Sequence, residues 1–248
     1  MVRQYRAAGD ARAVPWFNRR TPGPAAVSTV HPELPPPPPQ RLAAVLLAAG
    51  SGSRLGRRPK CLLELDGVPL LLRLLDALAQ AGVAEVVVVL GHHADAIGPV
   101  LAGRPERVVH NRDPEADQVV SLRLGLAALD GSADAMIVAL ADQPLVDAQD
   151  LRDLIDAFGA RPPATEVLVP QVAGERGNPV IFSAAVRAAV LAGPATFGAR
   201  QWQAAHPAAV ARFVTDNPHY RTDIDTAEDQ ARFERDTGRM LRWPPALR

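Results

Sequence analysis

The sequence predicts an α/β protein built on a doubly wound, mostly parallel sheet. Short, continuous apolar runs alternate along the chain with amphipathic segments of helical period. Continuous apolar runs are typical of parallel strands that helices cover on both faces, and strands that alternate with helices are typical of doubly wound folds. Because ligands of such sheets bind outside the carboxyl ends of the strands, the segments that follow the strands are the candidate site.

The first strand is predicted at residues 42–49, where an unbroken apolar run stops at Gly50. Further strands are predicted at residues 85–90, 107–110, 135–140 and 167–172. Helices are predicted at residues 69–80, 119–129 and 148–158, because apolar residues recur there at helical spacing. Another helix is expected to begin after Thr226, with that residue as its N-cap. Residues 206–214 carry no pattern that assigns them to an element.

The chain is expected to divide into a leader, residues 1–40, and one domain, residues 41–248. The leader holds nine of the 24 prolines and five Arg against two acidic residues. It shows little apolar periodicity, so it is expected to be disordered, and its proline run at residues 35–39 favours polyproline II.

Composition excludes several classes of protein. The 248 residues carry 27 Lys+Arg against 27 Asp+Glu, whereas nucleic-acid-binding proteins are usually basic. The single Cys excludes a disulfide framework and a metal site made of several thiolates. No apolar run approaches the roughly 18–20 residues of a membrane-spanning helix. We therefore expect a soluble, cytoplasmic globular protein with no nucleic-acid or membrane partner.

The loop after the first strand has the composition of a phosphate-binding loop. Its glycines allow a ligand to approach the backbone and let N–H groups turn inward. Neither a Walker A loop nor a dinucleotide fingerprint fits, because Gly56 is followed by Arg57 and the glycine spacing is one residue too long. The loop reads Ala49-Gly50-Ser51-Gly52-Ser53-Arg54-Leu55-Gly56 and continues to Pro59-Lys60.

Two cations accompany this loop. Arg54 lies inside it, and Lys60, the only lysine beside 26 arginines, lies at its exit. A compact ammonium and a guanidinium are not interchangeable at a phosphate. Together they can neutralise the charge that develops during phosphoryl transfer.

Acidic residues follow elsewhere. Asp142 follows the predicted strand at residues 135–140, with Ala141 between them, where a carboxylate beside a phosphate loop can hold Mg²⁺. An Asp in this position is also a common cap or turn residue. A second acidic run, Asp223-Ile224-Asp225, precedes Thr226.

These motifs together resemble the MobA-like NTP transferase family. The run Leu-Ala-Ala-Gly-x-Gly-x-Arg-x-Gly, followed by Pro-Lys, is similar to the loop that cradles the triphosphate in that family. Asp142-Gln143-Pro144 resembles the branch that transfers cytidylyl groups to the molybdenum cofactor. The resemblance covers roughly residues 43–233.

The resemblance implies a Rossmann-like sheet of the nucleotide-diphospho-sugar transferase type and a set of roles. Arg54 and Lys60 are implied to be catalytic. Asp142 and Asp225 are implied to hold Mg²⁺, with Asp223 an open alternative, because alternation along a strand would send Asp223 and Asp225 to the same side. The implied nucleotide-binding residues are Ala49, Gly50, Ser51, Gly52, Ser53, Gly56, Gln118 and Ser121, and the implied acceptor-binding residues are Gln143, Gly177 and Asn178.

The implied reaction moves CMP from CTP to the terminal phosphate of a molybdopterin-type cofactor and releases pyrophosphate. CTP is indicated because Ala49-Gly50 resembles relatives that use CTP, whereas users of GTP usually carry two glycines there. A recipient molybdoenzyme is an implied further partner.

Two alternatives remain open. In the first, the same machinery acts on another nucleotide or on a sugar or alcohol phosphate acceptor. In the second, the chain carries the molybdenum cofactor and transfers no nucleotide. Asp117 and Val120 differ from the residues usual at these positions in the family. The Gly-Ala-Arg run at residues 198–200 also lacks the Asp that usually precedes it. A nicotinamide-dependent oxidoreductase is disfavoured by the glycine spacing.

A histidine pair follows the second predicted strand. His92 and His93 have no third ligand at a recognisable metal-site spacing, so they are expected to be surface residues.

Overall fold

The computed structural model describes residues 41–113 and 117–247. The predicted leader, residues 1–40, lies outside the described residues. None of the helices in these two ranges has the length and apolar character that crossing a membrane requires. The strands are β1 Leu42–Ala48, β2 Glu64–Leu65, β3 Val68–Pro69, β4 Glu85–Leu90, β5 Arg107–His110, β6 Ala135–Leu140, β7 Val167–Val172, β8 Glu175–Arg176, β9 Val180–Ser183, β10 Val210–Val214 and β11 Leu241–Arg242. The helices are α1 Leu70–Gln80, α2 Ala94–Ile97, α3 Gln118–Ala128, α4 Ala148–Gly159, α5 Ala184–Ala192, α6 Ala199–Ala205 and α7 Ala227–Thr237.

The main sheet has eight strands in the order β10-β7-β9-β6-β1-β4-β5, with β8 paired to β7. Its ladders are parallel except for the pairs of β9 with β6 and β7 and of β8 with β7. The chain winds from β1 through β4 to β5, then returns to the other side of β1 as β6. This confirms the doubly wound, mostly parallel sheet, and it places the switch point at the carboxyl ends of β1 and β6.

The predicted elements match the structure closely, and several of them are either uninterrupted apolar runs, such as β1 and β6, or amphipathic segments, such as α1 and α4. Four predicted strands have the predicted bounds, and the first ends one residue earlier than expected. Six strands in the described ranges were not predicted: the two-residue strands β2, β3, β8 and β11, the antiparallel β9 between β6 and β7, and β10, which lies in the unassigned segment. None of them has a local pattern that reveals its partners.

Both faces of the sheet are covered. Along β1, Ala44 and Leu46 pack against α1 and α4, whereas Ala43 and Val45 pack against α3, α5 and α6. All seven residues of β1 are buried. Burial on both faces explains why β1 reads as continuous apolar sequence without alternation.

A second, three-stranded antiparallel sheet has the order β11-β2-β3. It shares a small core with α7 that contains Leu65, Phe233, Leu241 and Ile224. Ile224 is fully buried. Its burial fixes the chain on either side of it, which includes Asp223 and Asp225.

Helix α3 lies unusually close to the sheet at Gly125. A Cβ atom there would lie 2.4 Å from Cγ1 of Val45 and 2.9 Å from Cγ2 of Val89. Because valine side chains are stiff and sit on the sheet itself, neither can move aside cheaply. Glycine therefore sets the depth at which α3 packs.

Gly125→Ala should lower the free energy of unfolding by about 1–3 kcal/mol, the usual cost of overpacking. The matched control is Gly159→Ala at the end of α4, where a new Cβ meets nothing within 4 Å and stability should not fall. Urea unfolding of both variants tests this. Equal stability of Gly125→Ala and wild type would contradict the close packing.

Candidate active site

A cavity of about 330 Å³ opens at the carboxyl ends of β1 and β6. It is bounded by the start of the glycine loop, the Pro59-Lys60 exit, the first turns of α3, the end of β6 and the acidic segment before α7. The lining residues include Ala49, Gly50, Lys60, Gln118, Ser121, Asp142, Asp223 and Asp225. The remaining predicted loop residues, Ser51, Gly52, Ser53, Arg54 and Gly56, lie further along the loop, outside this lining.

The glycine loop is shaped by left-handed glycines. Gly52 has a φ of 59° and Gly56 a φ of 71°. A Cβ on Gly52 would lie 2.0 Å from the carbonyl oxygen of Arg58, so no other residue fits without movement of the backbone. At Gly50 a Cβ would meet nothing within 4 Å, because this residue borders the open cavity.

The loop presents unpaired hydrogen-bond donors. Among residues 41–113 and 117–247, none accepts a hydrogen bond from the backbone N–H of Gly50, Ser51 or Gly52. Successive free N–H groups in a turn form a concave site for anions. The loop is therefore suited to phosphate oxygens.

Lys60 lies between two carboxylates. Its Nζ is 2.6 Å from Oδ2 of Asp142 and 2.5 Å from Oδ1 of Asp225. Oδ2 of Asp225 is also 2.9 Å from Nη2 of Arg54, whose side chain is otherwise exposed. The structure thus brings together the two predicted cations and the two predicted carboxylates.

The charge on Lys60 is secured by these neighbours. Burial disfavours the ammonium, but attraction and hydrogen bonds from Asp142 and Asp225 outweigh it, so the pKa of Lys60 lies above its usual value. The adjacent thiol behaves differently, since burial raises the pKa of Cys61 to about 12. Cys61 therefore lines the cavity as a neutral thiol and not as a nucleophile.

The carboxylates have the oxygen donors that a divalent cation needs. Oδ1 of Asp142 is buried and has no hydrogen-bond partner in the described part of the chain. Asp223 lines the same cavity, and its pKa is raised by burial and by the charges of Asp142 and Asp225. Three carboxylates with one orphaned, buried oxygen are the donor set that Mg²⁺ or Mn²⁺ prefers. The residues present fit such an ion.

The acidic segment reaches the cavity without forming a strand. Ile224 donates its N–H to the carbonyl of Asp142 at 3.1 Å, and residues 222–226 are otherwise irregular. Asp223 and Asp225 nevertheless both line the cavity, because the intervening Ile224 is buried. Thr226 then caps α7 through a reciprocal capping box with Asp229, as expected for a helix start.

The first turns of α3 carry the predicted nucleotide contacts. Asp117 caps the helix by accepting a hydrogen bond from the N–H of Val119. Ser121 is buried, and its Oγ accepts a hydrogen bond of 3.0 Å from Nδ2 of Asn111, which leaves its own proton for donation. Asn111 begins the segment that follows the predicted strand at residues 107–110, which put it at the expected edge of the sheet, but the sequence assigned it no role.

A second cavity of about 170 Å³ adjoins the first and shares Leu47, Gln118 and Leu140 with it. Its floor is apolar and contains Val138 and Phe182. Its polar lining includes Arg176, Asn178, Arg200 and Gln203. Nη1 of Arg176 donates to Oε1 of Gln203 at 2.9 Å, and burial together with the charges of Arg200 and Arg212 lowers the pKa of Arg176.

The three predicted acceptor residues have different positions. Asn178 lines the second cavity. Gln143 is buried, borders neither cavity, and donates from Nε2 to the carbonyls of Asn178 at 3.1 Å and Tyr220 at 3.4 Å. Gly177 lies against Tyr220, whose carbonyl oxygen would be 2.6 Å from an added Cβ. Gln143 and Gly177 therefore hold the walls of the site together, and Asn178 alone of the three faces the second cavity.

Arg123, which sequence reasoning also missed, joins the two sides of the site. From α3 its guanidinium donates to the carbonyls of Phe197, Leu191 and Gly193 at 3.1–3.2 Å, and it also contacts the carbonyl of Val190. These carbonyls lie at the end of α5 and in the segment leading to α6. The helix that carries Ser121 thereby fixes the segment that leads into the wall of the second cavity.

A different acidic group lies at the start of α4. Asp147, Asp150 and His219 bring ligand atoms within 4.8 Å of one another. The Asp150 carboxylate already accepts from Asn217 Nδ2 at 2.6 Å and from the backbone N–H of Asp147 at 2.9 Å, and it contacts Nδ1 of His219 at 2.8 Å. This group therefore ties the turn before the acidic segment to α4.

Comparison with known proteins gives a consistent assignment. A profile of the MobA-like NTP transferase domain matches residues 44–210. The nicotine blue oxidoreductase of Paenarthrobacter nicotinovorans is 32% identical over 197 residues, which are 76% of this chain and 94% of that protein. The bifunctional protein GlmU of Geobacter metallireducens is 32% identical over 128 residues, 51% of this chain and 27% of GlmU. The chain thus matches only about a quarter of the length of GlmU.

The solved structures confirm the fold class. The crystal structure of Rv0371c from Mycobacterium tuberculosis H37Rv is 32% identical, has a TM-score of 0.66, and covers 78% of this chain and 96% of its own. A second structure of that protein is a complex with manganese, with 30% identity, a TM-score of 0.62, and coverage of 77% and 97%. The fold is the nucleotide-diphospho-sugar transferase type.

Asp223→Asn should stabilise the metal-free protein at pH 7. Because the folded state raises the pKa of Asp223, its ionised form costs stability above that pKa. The gain should disappear as the pH falls below the ordinary Asp pKa of about 3.9, where both states are protonated. Urea unfolding in EDTA from pH 7 to pH 3 measures it, with Asp216→Asn, an exposed Asp outside the carboxylate cluster, as control. A gain independent of pH, or a loss at pH 7, would contradict the assigned environment.

Proposed function

The chain belongs to the MobA-like NTP transferase family, and from that premise we propose that it transfers CMP from CTP to the terminal phosphate of a molybdopterin-type cofactor. The observation that carries the proposal is the position of Lys60 between Asp142 and Asp225, beside a loop of unpaired N–H groups. A nucleotidyltransferase needs cations, carboxylates and backbone donors around one triphosphate. All three kinds of group surround the first cavity.

In the proposed reaction a phosphate oxygen of the acceptor attacks the α-phosphorus of CTP. The bond from that phosphorus to the oxygen bridging to the β-phosphate breaks, and the electron pair leaves with pyrophosphate. The acceptor is already an anion, so no side-chain nucleophile is required, in agreement with the neutral Cys61 thiol. Lys60 and Arg54 balance the negative charge on the transferring group. The N–H groups of Gly50, Ser51 and Gly52, which have no acceptor within residues 41–113 and 117–247, bind the outgoing phosphates.

We propose Asp142 and Asp225 as the residues that hold Mg²⁺, with Asp223 beside them. The ion would supply a divalent positive charge next to the phosphates. Support comes from Oδ1 of Asp142, which is buried and has no hydrogen-bond partner among the described residues. The related Rv0371c also has a structure in complex with manganese, an ion of the same oxygen-preferring class.

The acceptor is proposed to occupy the second cavity. Its apolar floor suits a flat ring system, and the guanidinium groups of Arg176 and Arg200 suit an anionic phosphate. The cavity adjoins the first, so an acceptor phosphate there is next to the triphosphate site. The recipient molybdoenzyme and a cytoplasmic location, where nucleoside triphosphates are made, complete the proposal.

The choice of CTP rests on Ala49, which lines the first cavity. One methyl group in a tight pocket discriminates between ligands by only about 1–3 kcal/mol. Another nucleotide or another phosphate acceptor is therefore the nearest alternative. A carrier without transferase activity is disfavoured by Lys60 and Arg54, because binding alone needs no cations at the reacting phosphate.

A second candidate function comes from the relative named nicotine blue oxidoreductase, because this chain matches 94% of the length of that protein. The apolar floor of the second cavity would also accept an aromatic substrate. This candidate leaves the Lys60 cluster without a role, so it ranks below nucleotidyl transfer.

The deciding experiment measures pyrophosphate release with Mg²⁺ and each of CTP, GTP, ATP and UTP, with and without molybdopterin cofactor. Release that requires both CTP and the cofactor is the expected result. Release with another nucleotide would leave the proposed reaction standing but overturn the choice of CTP. Release that does not depend on the cofactor would overturn the proposed acceptor. No release, together with oxidation of NAD(P)H by a dye, would replace the proposal by the oxidoreductase.

Lys60→Ala should reduce turnover by orders of magnitude, because it removes the cation that lies between Asp142 and Asp225 beside the proposed phosphate site. Arg54→Ala should reduce turnover more than Arg57→Ala, since Arg54 contacts Asp225 and Arg57 is an exposed residue of the same loop. The pyrophosphate assay gives kcat for each, and circular dichroism checks folding. Near-normal turnover of Lys60→Ala, or equal effects at the two arginines, would contradict these roles.

A further inference from the structure

Strand β4 ends against the glycine loop. Gly91, the residue after β4, has no room for a side chain, because a Cβ would lie 2.7 Å from the carbonyl oxygen of Ala49 and 2.9 Å from its Cβ. Only glycine permits this approach. It brings the next two residues, His92 and His93, to the backbone of the loop.

The two histidines are half-buried and contact loop carbonyls, unlike the surface positions that the sequence suggested. Nε2 of His93 is 3.0 Å from the carbonyl oxygen of Ser51, and Nδ1 of His92 is 3.4 Å from that of Ala49. A carbonyl oxygen can only accept a hydrogen bond. Nε2 of His93 is therefore the donor and carries a proton.

These contacts fix the orientation of two peptide groups. Among the described residues the one cis peptide is Asn178–Pro179, so the Ala49–Gly50 and Ser51–Gly52 peptides are trans. In a planar trans peptide the C=O and the following N–H point in opposite directions. The hydrogen bond from His93 to the Ser51 carbonyl therefore turns the N–H of Gly52 away from His93. In the same way, the contact of His92 with the Ala49 carbonyl turns the N–H of Gly50 away from His92.

We propose that His93, supported by His92 and by the close approach at Gly91, is a positioning residue that sets the N–H groups of Gly50 and Gly52 toward the phosphates of the nucleotide. Both N–H groups lack a partner in the described part of the chain. A loop with glycines at residues 50, 52 and 56 loses much conformational entropy when it is ordered. Fixing its peptide planes beforehand removes part of that cost from binding. The inference rests on the proposed function only in that the loop binds a polyphosphate.

The test compares His93→Leu, which removes the donor, with His93→Gln, which restores an amide N–H donor. Calorimetry at fixed pH and Mg²⁺ measures the Kd of CTP and of inorganic pyrophosphate, and an NMR titration measures that of cytidine. His93→Leu should weaken CTP and pyrophosphate about three- to tenfold, the effect of one hydrogen bond. His93→Gln should bind within about twofold of wild type, and cytidine, which has no phosphate, should be unaffected. The exposed His110→Leu is the control and should bind all three ligands normally.

Unchanged pyrophosphate binding in His93→Leu would overturn the inference. A loss that is equal for cytidine, or that His93→Gln does not restore, would show a merely structural role and also overturn it. If the variants bind pyrophosphate in the predicted pattern but wild-type protein never releases pyrophosphate from CTP, the proposed function is overturned and this inference stands. Wild-type protein that binds neither CTP nor pyrophosphate would overturn both.

Discussion

The ammonium of Lys60, shared between Asp142 and Asp225, is the interaction on which the site depends. The two carboxylates lie 82 and 165 residues from Lys60 in sequence, and a third, Asp223, lines the same cavity. Side chains of Lys60 and Asp142 are only 16% and 17% exposed, so water screens their charges weakly. Without a cation between them, the carboxylates would repel one another in this partly buried cavity. The raised pKa of Lys60 expresses the same balance, since burial is outweighed by the two neighbours.

The fold brings these groups together through a few steric choices. The adjacency of β1 and β6 places the glycine loop and Asp142 at one edge of the sheet. Ile224 is buried, and its burial directs the neighbouring Asp223 and Asp225 into the cavity. The N–H of Ile224 donates a hydrogen bond to the carbonyl of Asp142, which holds this segment beside Asp142. Gly125 allows α3 to lie close to the sheet, which brings Ser121 to the opposite wall. Small residues and one buried isoleucine thus define where the charges meet.

The sequence predicted most of the parallel sheet and the glycine loop with its two cations, because both leave local signals, whereas the role expected of Asp225 came from the family resemblance alone. Apolar runs mark β1, β4 and β6, and the order of glycines, Arg54 and Lys60 marks the loop. The remainder depends on contacts between distant segments that no local pattern encodes. Asn111 and Arg123 act through partners on other elements, and His93 acts on a carbonyl 42 residues earlier. Gln143 was expected to bind the acceptor. It is buried and donates to the carbonyls of Asn178 and Tyr220, contacts with distant segments that no local pattern encodes.

The most direct test of the Lys60 site asks whether a divalent ion and the triphosphate bind there together. Because Mn²⁺ also binds free CTP, the readout is the relaxation of water protons by the Mn²⁺–CTP complex, which is enhanced when that complex is immobilised on the protein. Strong enhancement is expected in wild type and in Asp147→Asn, whose substitution alters the separate acidic group at α4, and loss of the enhancement is expected in Asp142→Asn. Enhancement that persists in Asp142→Asn but is lost in Asp147→Asn would show that the Lys60 cluster is not the metal and triphosphate site.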